Sequence, residues 1–529
     1  MKRLMAAATA GLAGAVLVAG TALAGTTVQL SVSGTYFPPD PEAVFEKSAA
    51  EIPAYSIGSK RLFVVNGAAD EVDVFDLSDP ANPTKIGALT TLGLGNPNSV
   101  ATNRNLVAIA VEADPKTNPG YVVFYTVSGV YKKTVQVGAQ PDMILFSPDG
   151  TKVLTANEGE AAEGGTPNPE GSISIVDLVG GVHNATATTL GFTGFNGMKA
   201  DLQAKGVRFV DPGATVAQDL EPEYIALSED GTRGWVTLQE NNALALIDVN
   251  NKTIDDIVGL GTKNHDLVGN ALDASDRDGK INIVNWPVNG FYMPDSIASF
   301  TANGKTYLIT ANEGDDRDDF LADEETARVN SLTLDPTAFP DASTLQQNEN
   351  LGRLTVSTID GDTDGDGDYD KLYSYGARSF SIWDDKGTLV YDSGDDFERI
   401  TAAQLPADFN ADNAENNSFD NRSDNKGPEP EGLVVGRDNG HTFAFIGLER
   451  IGGVMVYNID QPTAPKFVQY INNRDFAGDA EKGTAGDLGP EGLAFVPAGR
   501  SPTGKALLIV ANEVSGSTTI YDVNRTPLH

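Results

Sequence analysis

Cysteine is missing altogether from this 529-residue chain. That absence excludes disulfides, thiolate metal sites, a cysteine nucleophile and a lipid-modified cysteine anchor. Histidine is nearly as scarce: His183, His265, His441 and His529 complete the set, and their spacing fits neither a zinc motif nor a serine partner. No G-x-S-x-G elbow occurs, which argues against nucleophilic serine catalysis. Positive charge is thin, with 37 Lys and Arg against 74 Asp and Glu, for a formal net charge of −37. A nucleic acid or an anionic membrane would be repelled over most of such a surface, so cations are the expected partners. Long apolar runs are also lacking. Beyond the first residues no stretch approaches the ~18 continuous apolar residues of a spanning helix, so no membrane span is expected, and the protein is expected to be monomeric.

What is present begins with MKRLMAAATAGLAGAVLVAGTALAG, where Lys2 and Arg3 precede a short apolar run ending in Ala22-Leu23-Ala24. This reads as a secretory signal cleaved after Ala24, with export to the periplasm or the exterior. The expected organisation is a signal peptide at 1–24, an N-terminal linker at 25–50, and one domain at 51–529. Long excursions fall at about 179–221 and 314–395. The first carries a helix around Gly197 to Lys205; the second has a helix-like stretch near Ala342 to Gln347 and extra strands such as SFSIWD, Ser379 to Asp384.

The domain is repetitive. Pro followed by an acid or Asn opens an apolar run, a polar turn follows, and a second apolar run ends in Glu. Pro97-Asn98 leads to LVAIAVE at Glu112, Pro141-Asp142 to KVLTANE at Glu158, and Pro222-Glu223 to GWVTLQE at Glu240. Pro294-Asp295 leads to YLITANE at Glu313, Pro430-Glu431 to FAFIGLE at Glu449, and Pro490-Glu491 to ALLIVANE at Glu513. Third strands such as SISIVDL, ALALIDV, GVMVYNI and STTIYDV complete a meander. RLFVVNGAADEVDVFDL (Arg61 to Leu77) is a further unit with a degenerate opening, or shares a blade with the C-terminal strand. The expected fold is all-β, a β-propeller of about seven four-stranded blades with long insertions containing short helices.

In a propeller the loop entering the innermost strand and the loop leaving the second strand share one face. Asn98, Asp142, Glu223, Asp295, Glu431 and Glu491 should therefore crowd one channel mouth with Glu112, Glu158, Glu240, Glu313, Glu449 and Glu513. So many carboxylates repel unless cations or protons intervene. Oxygen-only ligation favours Ca²⁺, with Mg²⁺ or another hard divalent cation as the alternative. The bland reading is that these acids cap turns and pair with Arg317, Arg450 or Lys426. A second acidic segment, GDTDGDGDYDKL, places Asp362, Asp364, Asp366, Asp368 and Asp370 in the alternation of an EF-hand-type loop. Tyr373 stands where such a loop has its last Glu, so a further ligand must come from elsewhere. DASDRDG, Asp273 to Gly279, carries a weaker version of the signal.

The phrases GPEPEGLVVG, GLERIGGVMVYNI, NNRDF, DLGPEGLAFVP, LLIVANEVSGSTTIY, TANEGDDRDDF and DGDGDYDKLYSYGARSFSIWD resemble the choice-of-anchor I family over nearly all of the mature chain. The family is named for varied C-terminal sorting signals, and the chain departs from that by ending at YDVNRTPLH. It is therefore expected to be released. The resemblance implies a distant similarity to phytase-like and alkaline-phosphatase-like propellers. That makes metal-dependent hydrolysis of phosphate esters the leading enzymatic expectation, with Arg317 and Arg450 holding substrate phosphate and Arg474 assisting. The competing expectation is a non-catalytic extracellular propeller with structural calcium that binds a surface polymer, matrix component or protein.

Overall fold

A computed structural model describes residues 26–318 and 325–527, so the expected signal peptide lies outside the described residues. Short β-branched runs separated by tight polar turns give antiparallel meanders. Among the described residues seven such sheets have four strands each, beside a three-stranded and a two-stranded sheet. The innermost strands of the seven are Pro53–Ser56, Pro97–Asn103, Pro141–Phe146, Pro222–Leu227, Ile297–Ala302, Pro430–Asp438 and Pro490–Val496. Each packs on the next and the last packs on the first, so the ring closes as a β-propeller of seven blades.

Blade one is complete in itself: Pro53–Ser56, Arg61–Asn66, Glu71–Asp76 and Thr84–Thr90 pair in order. The Arg61 to Leu77 unit therefore does not share a blade with the C-terminal strand. Blade seven takes its outermost strand from the other end of the chain, with Thr26–Tyr36 antiparallel to Ser517–Pro527. Residues 25–50, expected as a linker, thus carry part of a blade. Val28 and Leu30 explain why, since both are buried in the cluster that includes Phe445, Leu508 and Tyr521. Between blades the apolar faces of neighbouring sheets interleave, as where Phe63, Val65 and Val74 meet Val100, Val107 and Ile109. Each such side chain contributes about 1.5–3 kcal/mol of burial.

The insertions are shorter than expected. Thr186–Gly191, inside 179–221, is the fourth strand of blade three, and the helical segment follows it as Thr193–Met198 and Lys199–Ala204. Ser379–Asp384, expected as an extra strand, is the third strand of blade five, with Asn312 opposite Ser379 and Leu308 opposite Trp383. Leu389–Asp392 is the fourth strand of that blade, so the true insertion lies between Asn312 and Ser379. It packs with residues 260–296 around a separate apolar cluster that includes Leu272, Trp286, Val329 and Leu351. A nine-residue helix, Asp396–Gln404, follows blade five.

Candidate functional site

The repeated proline does more than open a strand. In five blades the pairing of the innermost strand shifts just after it, between Pro97 and Ser99, Pro141 and Met143, Pro222 and Ile225, Pro430 and Leu433, and Pro490 and Leu493. Asn98, Asp142, Glu223, Glu431 and Glu491 sit in those bulges. A bulge leaves its extra residue out of the ladder and re-aims the side chain. The proline has no N–H to lose there. In those five blades the sequence phrase is thus a device for turning one polar side chain into the channel.

The result is a single cavity of about 230 Å³ lined by Asn98, Asp142, Glu223, Asp295, Glu431 and Glu491, together with Glu313 and Asp315. No Lys or Arg among the described residues pairs with Asp142, Glu223, Asp295, Glu431 or Glu491; the nearby cations pair with other acids. Glu223, Glu431 and Glu491 each have a buried Oε2 without a hydrogen-bond partner. Burial raises Asp142 to about 7, and Glu160 and Glu112 add to the effect. Burial and the facing carboxylates hold Glu223, Asp295, Glu431 and Glu491 well above the usual range as well.

The second set behaves differently. Glu112, Glu158, Glu449 and Glu513 donate their backbone N–H to the carbonyl of Asn96, Gln140, Glu429 and Gly489 at 2.8–2.9 Å, fixing each second-strand end beside an inner-strand proline. Their side chains, and those of Glu240 and Glu313, have partners. Glu240 lies 3.4 Å from Arg317 Nη2, Glu313 is 2.9 Å from Lys426 Nζ, and Glu449 is 3.0 Å from Arg450 Nη1. Gln140 Nε2 donates to Glu158 at 2.5 Å, Asn96 Nδ2 to Glu112 at 2.9 Å, and Ser48 Oγ to Glu513 at 3.5 Å. The bland reading therefore describes much of the second set, while the first set stands without cations.

Arg317 is buried at 4% exposure, with Nη1 3.0 Å from Asp219 and Nη2 2.8 Å from Glu221. Arg450 Nε lies 2.8 Å from Glu429. Both guanidinium groups, expected to hold phosphate, are thus engaged by carboxylates. Arg474 is engaged by the backbone carbonyls of Asp412, Glu415 and Arg450. Burial alone would raise Glu429, but Lys426, Arg450 and Arg422 hold it well below the ordinary carboxylate range.

Sequence reasoning missed Glu51, Glu160, Glu221, Asp315 and Glu429. Glu221 and Glu429 directly precede the marked prolines, and Glu160 and Asp315 follow the shared phrase Ala-Asn-Glu-Gly. The glycine in that phrase has φ of +72° at Gly159 and +90° at Gly314, a left-handed turn that suits glycine. A Cβ at Gly314 would stand 2.1 Å from the nitrogen of Gly376. Glu51, raised to about 8 by burial and by Glu513, Asp142 and Glu112, was hidden by the degenerate opening of blade one.

Oxygen atoms of Asp142, Glu158 and Glu223 all come within 4.8 Å of one another, a spacing that fits shared ligation of one cation. Glu313, Glu429 and Glu449 form a similar group, but Lys426 and Arg450 lie against it. Away from the channel, the EF-hand-type loop folds around Asp362, which accepts from the N–H of Gly365 at 2.7 Å and of Gly367 at 3.0 Å. It yields two groups, Asp362 with Asp364 and Asp370, and Asp368 with Asp370 and Asp335. Asp335 lies outside the loop and is brought to it by the fold. Asp366 joins neither group and accepts instead from the N–H of Asp368 at 3.2 Å.

Residues 51–462 match the model described as the choice-of-anchor I domain. Gigasin-3a of Magallana gigas is 34% identical over 190 residues, which cover 34% of the chain and 66% of that protein. Mesenchyme-specific cell surface glycoprotein of Strongylocentrotus purpuratus is 27% identical over 283 residues, covering 47% of the chain and 36% of that protein. The chain thus spans less than two thirds of the length of each relative. Among solved structures, Kuenenia stuttgartiensis hydrazine synthase aligns with a TM-score of 0.47 at 13% identity, over 91% of the chain and 97% of its own. The β-propeller domain of Myceliophteria thermophila Cps50 (Swd1) aligns with a TM-score of 0.44 at 8% identity, over 94% and 100%.

Proposed function

The chain belongs to the choice-of-anchor I family, and from that premise we propose that it is an extracellular β-propeller whose channel mouth binds calcium and whose role is binding, not catalysis. The observation that carries the reading is the contrast between the two sets of acids. Glu240, Glu313 and Glu449 have Arg317, Lys426 and Arg450, whereas Asp142, Glu223, Asp295, Glu431 and Glu491 converge on one cavity without any. Neutralising them without protons calls for a hard cation that accepts many oxygen ligands in irregular geometry, which is the chemistry of Ca²⁺ more than of the strictly octahedral Mg²⁺. Asp142, Glu158 and Glu223 would hold one such ion, and Glu431 and Glu491 would ligate on the other arc of the mouth. The exposed Asp362–Asp370 loop with Asp335 would take calcium more weakly.

A bound ion would supply positive charge at a mouth whose own cations are committed, and so a place for an anionic group of a surface polymer or protein. The family assignment and the sea-urchin relative's name, a cell surface glycoprotein, support an extracellular setting, as does the leader-like segment ending at Ala24. Phosphate-ester hydrolysis would need a cationic group free to meet phosphoryl oxygen beside the metal. The engagement of Arg317 and Arg450 by carboxylates weighs against it. The test is to strip the mature protein with a chelator, return calcium, and follow melting temperature and hydrolysis of a chromogenic phosphate ester together. Recovery of stability alone is expected. Hydrolysis recovering in step would replace the binding role with a metal-dependent phosphoesterase, and no response in either would sink the calcium reading.

A further inference from the structure

We propose that a second, buried calcium site lies away from the channel, where the loop of Asp273 to Asp278 meets the segment of Asn410 to Ser423, and that this ion staples the insertions onto blade five. The residues meet through named contacts. Glu398, on the helix Asp396–Gln404, accepts the backbone N–H of Asp273 at 3.1 Å through Oε2. Its Oε1 accepts from Arg378 Nη1 at 2.7 Å and from Asn410 Nδ2 at 2.9 Å. Ser423 Oγ links Asn410 to Asp420, receiving from Asn410 Nδ2 at 2.9 Å and donating to Asp420 Oδ1 at 2.6 Å.

Three oxygens in this neighbourhood are left over. Asp420 Oδ2, Asn410 Oδ1 and Asp278 Oδ2 are buried and have no hydrogen-bond partner. Asp420 is 2% exposed and Asn410 is fully buried, so bulk water cannot serve them. The orientation of the Asn410 amide is not free. Its nitrogen faces Glu398, an acceptor-only carboxylate that already takes Arg378, so the unpartnered end is the oxygen. Leaving buried acceptors unmade costs about 1–3 kcal/mol each, and a cation that accepts carboxylate and amide oxygens together would relieve that cost.

Charge points the same way. Among the described residues Arg378 pairs with Glu398, and Arg277 and Arg353 pair with Asp276, which leaves Asp273, Asp278 and Asp420 without an ion pair. Burial, with Asp273, Asp278 and Glu398 adding to it, pushes Asp420 up to about 8. This is the crowding a divalent cation relieves. The ligand class is a hard divalent ion held by the carboxylates of Asp420 and Asp278 and the amide oxygen of Asn410. It would join the 273–282 loop to the residues that follow the Asp396–Gln404 helix.

The experiment is calorimetric titration of calcium into chelator-stripped mature protein, in the wild type and in Asp420→Asn, Asp278→Asn and Glu431→Gln/Glu491→Gln. Asp278→Asn changes a loop residue and keeps the fold if Asp420→Asn does not. The expected result is the loss of one calcium per chain, or at least tenfold weaker binding of it, in both aspartate variants, while the channel variant keeps that calcium. Limited proteolysis reads the staple directly: calcium should protect residues 405–425 in the wild type and the channel variant, but not in Asp278→Asn. Unchanged stoichiometry and protection in Asp278→Asn, or protection lost only in the channel variant, would overturn the proposal. The channel reading stands or falls on the channel variant alone.

Discussion

Lys426 Nζ stands 2.9 Å from Glu313 Oε1, and this pair marks the border between the neutralised and the unneutralised acids of the channel. Glu313 lines the same cavity as Asp295 and Glu431, yet it alone of the three has a cation. Lys426 also reaches Glu429 at 3.5 Å and donates to the carbonyl of Gly314 at 2.6 Å. One side chain therefore ties blade five to blade six beneath the mouth.

Lys426→Met tests how much that tie supports. Removing one partner of a buried ion pair costs about 3–5 kcal/mol because the other charge is left uncompensated. Glu429 keeps Arg422 and Arg450, which places the expected loss at the lower end, about 3 kcal/mol in denaturant unfolding. Adding Glu313→Gln should recover part of it, since the stranded carboxylate is then gone. A single variant as stable as the wild type would show that the pair is solvated and contributes little.

Glu431→Gln/Glu491→Gln should change sign with calcium. In metal-free alkaline buffer the substitution removes two buried carboxyls that must either keep a proton or stand charged without a cation, and the variant should melt higher than the wild type. With calcium at 100-fold excess over its Kd, the wild type gains roughly 2.7 kcal/mol from each linked ion, and the variant should lose much of that gain. Thermal unfolding in the two buffers gives both readings. A variant less stable than the wild type without calcium would mean that these carboxylates are already satisfied by hydrogen bonds.

The blades were legible because three strands of each carry apolar runs. The fourth strands were not: Thr84–Thr90 and Thr186–Gly191 are exposed at most positions, so their sequence carries a turn-like polar pattern and their pairing is set by the neighbour. The same cause hid Thr26–Tyr36, whose burial is confined to Val28 and Leu30 among its classified residues. In the site, the acids after proline were visible because a bulge recurs with its proline. Glu51 was not, because Pro53 opens blade one without an acid after it. The engagement of Arg317 by Asp219 and Glu221 joins residues 98 and 96 positions apart in sequence, a pairing brought about by the packing of blade four against blade five.

Closure by the N-terminal strand makes a prediction of its own. Leu30 is 2% exposed against blade seven, and its backbone N–H donates to Gln469 Oε1 of blade six at 2.7 Å. Leu30→Ala should cost about 2–5 kcal/mol, as for other buried leucines. Starting the chain after Tyr36 should leave Ser517–Pro527 as an open edge that self-associates. Denaturant unfolding and light scattering read the two effects. A truncated protein that stays monomeric with unchanged stability would show that the ring does not need this strand.

The pH dependence of metal-free protein follows from the raised carboxyls. Asp142 has a folded value of about 7 against an ordinary 3.8, and Glu51 has about 8 against 4.5. Between those limits the folded state holds protons that the unfolded chain has released. Stability therefore falls as pH rises. Their contribution is fully present below about pH 4 and is lost as pH climbs through 7 to 8. Glu429 has the opposite sign: its value is depressed by Lys426, Arg450 and Arg422 against the effect of burial, so its contribution is present above 4.5 and disappears on acidification below it. Metal-free melting temperature should accordingly peak near pH 5 and decline toward pH 8. Calcium displaces the protons and binds best where they have left, so saturating calcium should abolish the decline and make the gain in melting temperature largest at pH 8. A metal-free protein that becomes more stable from pH 5 to pH 8, or a calcium effect larger at pH 5, would mean that the channel carboxylates are ionised without a counter-charge and that the mouth is solvated rather than poised for a cation.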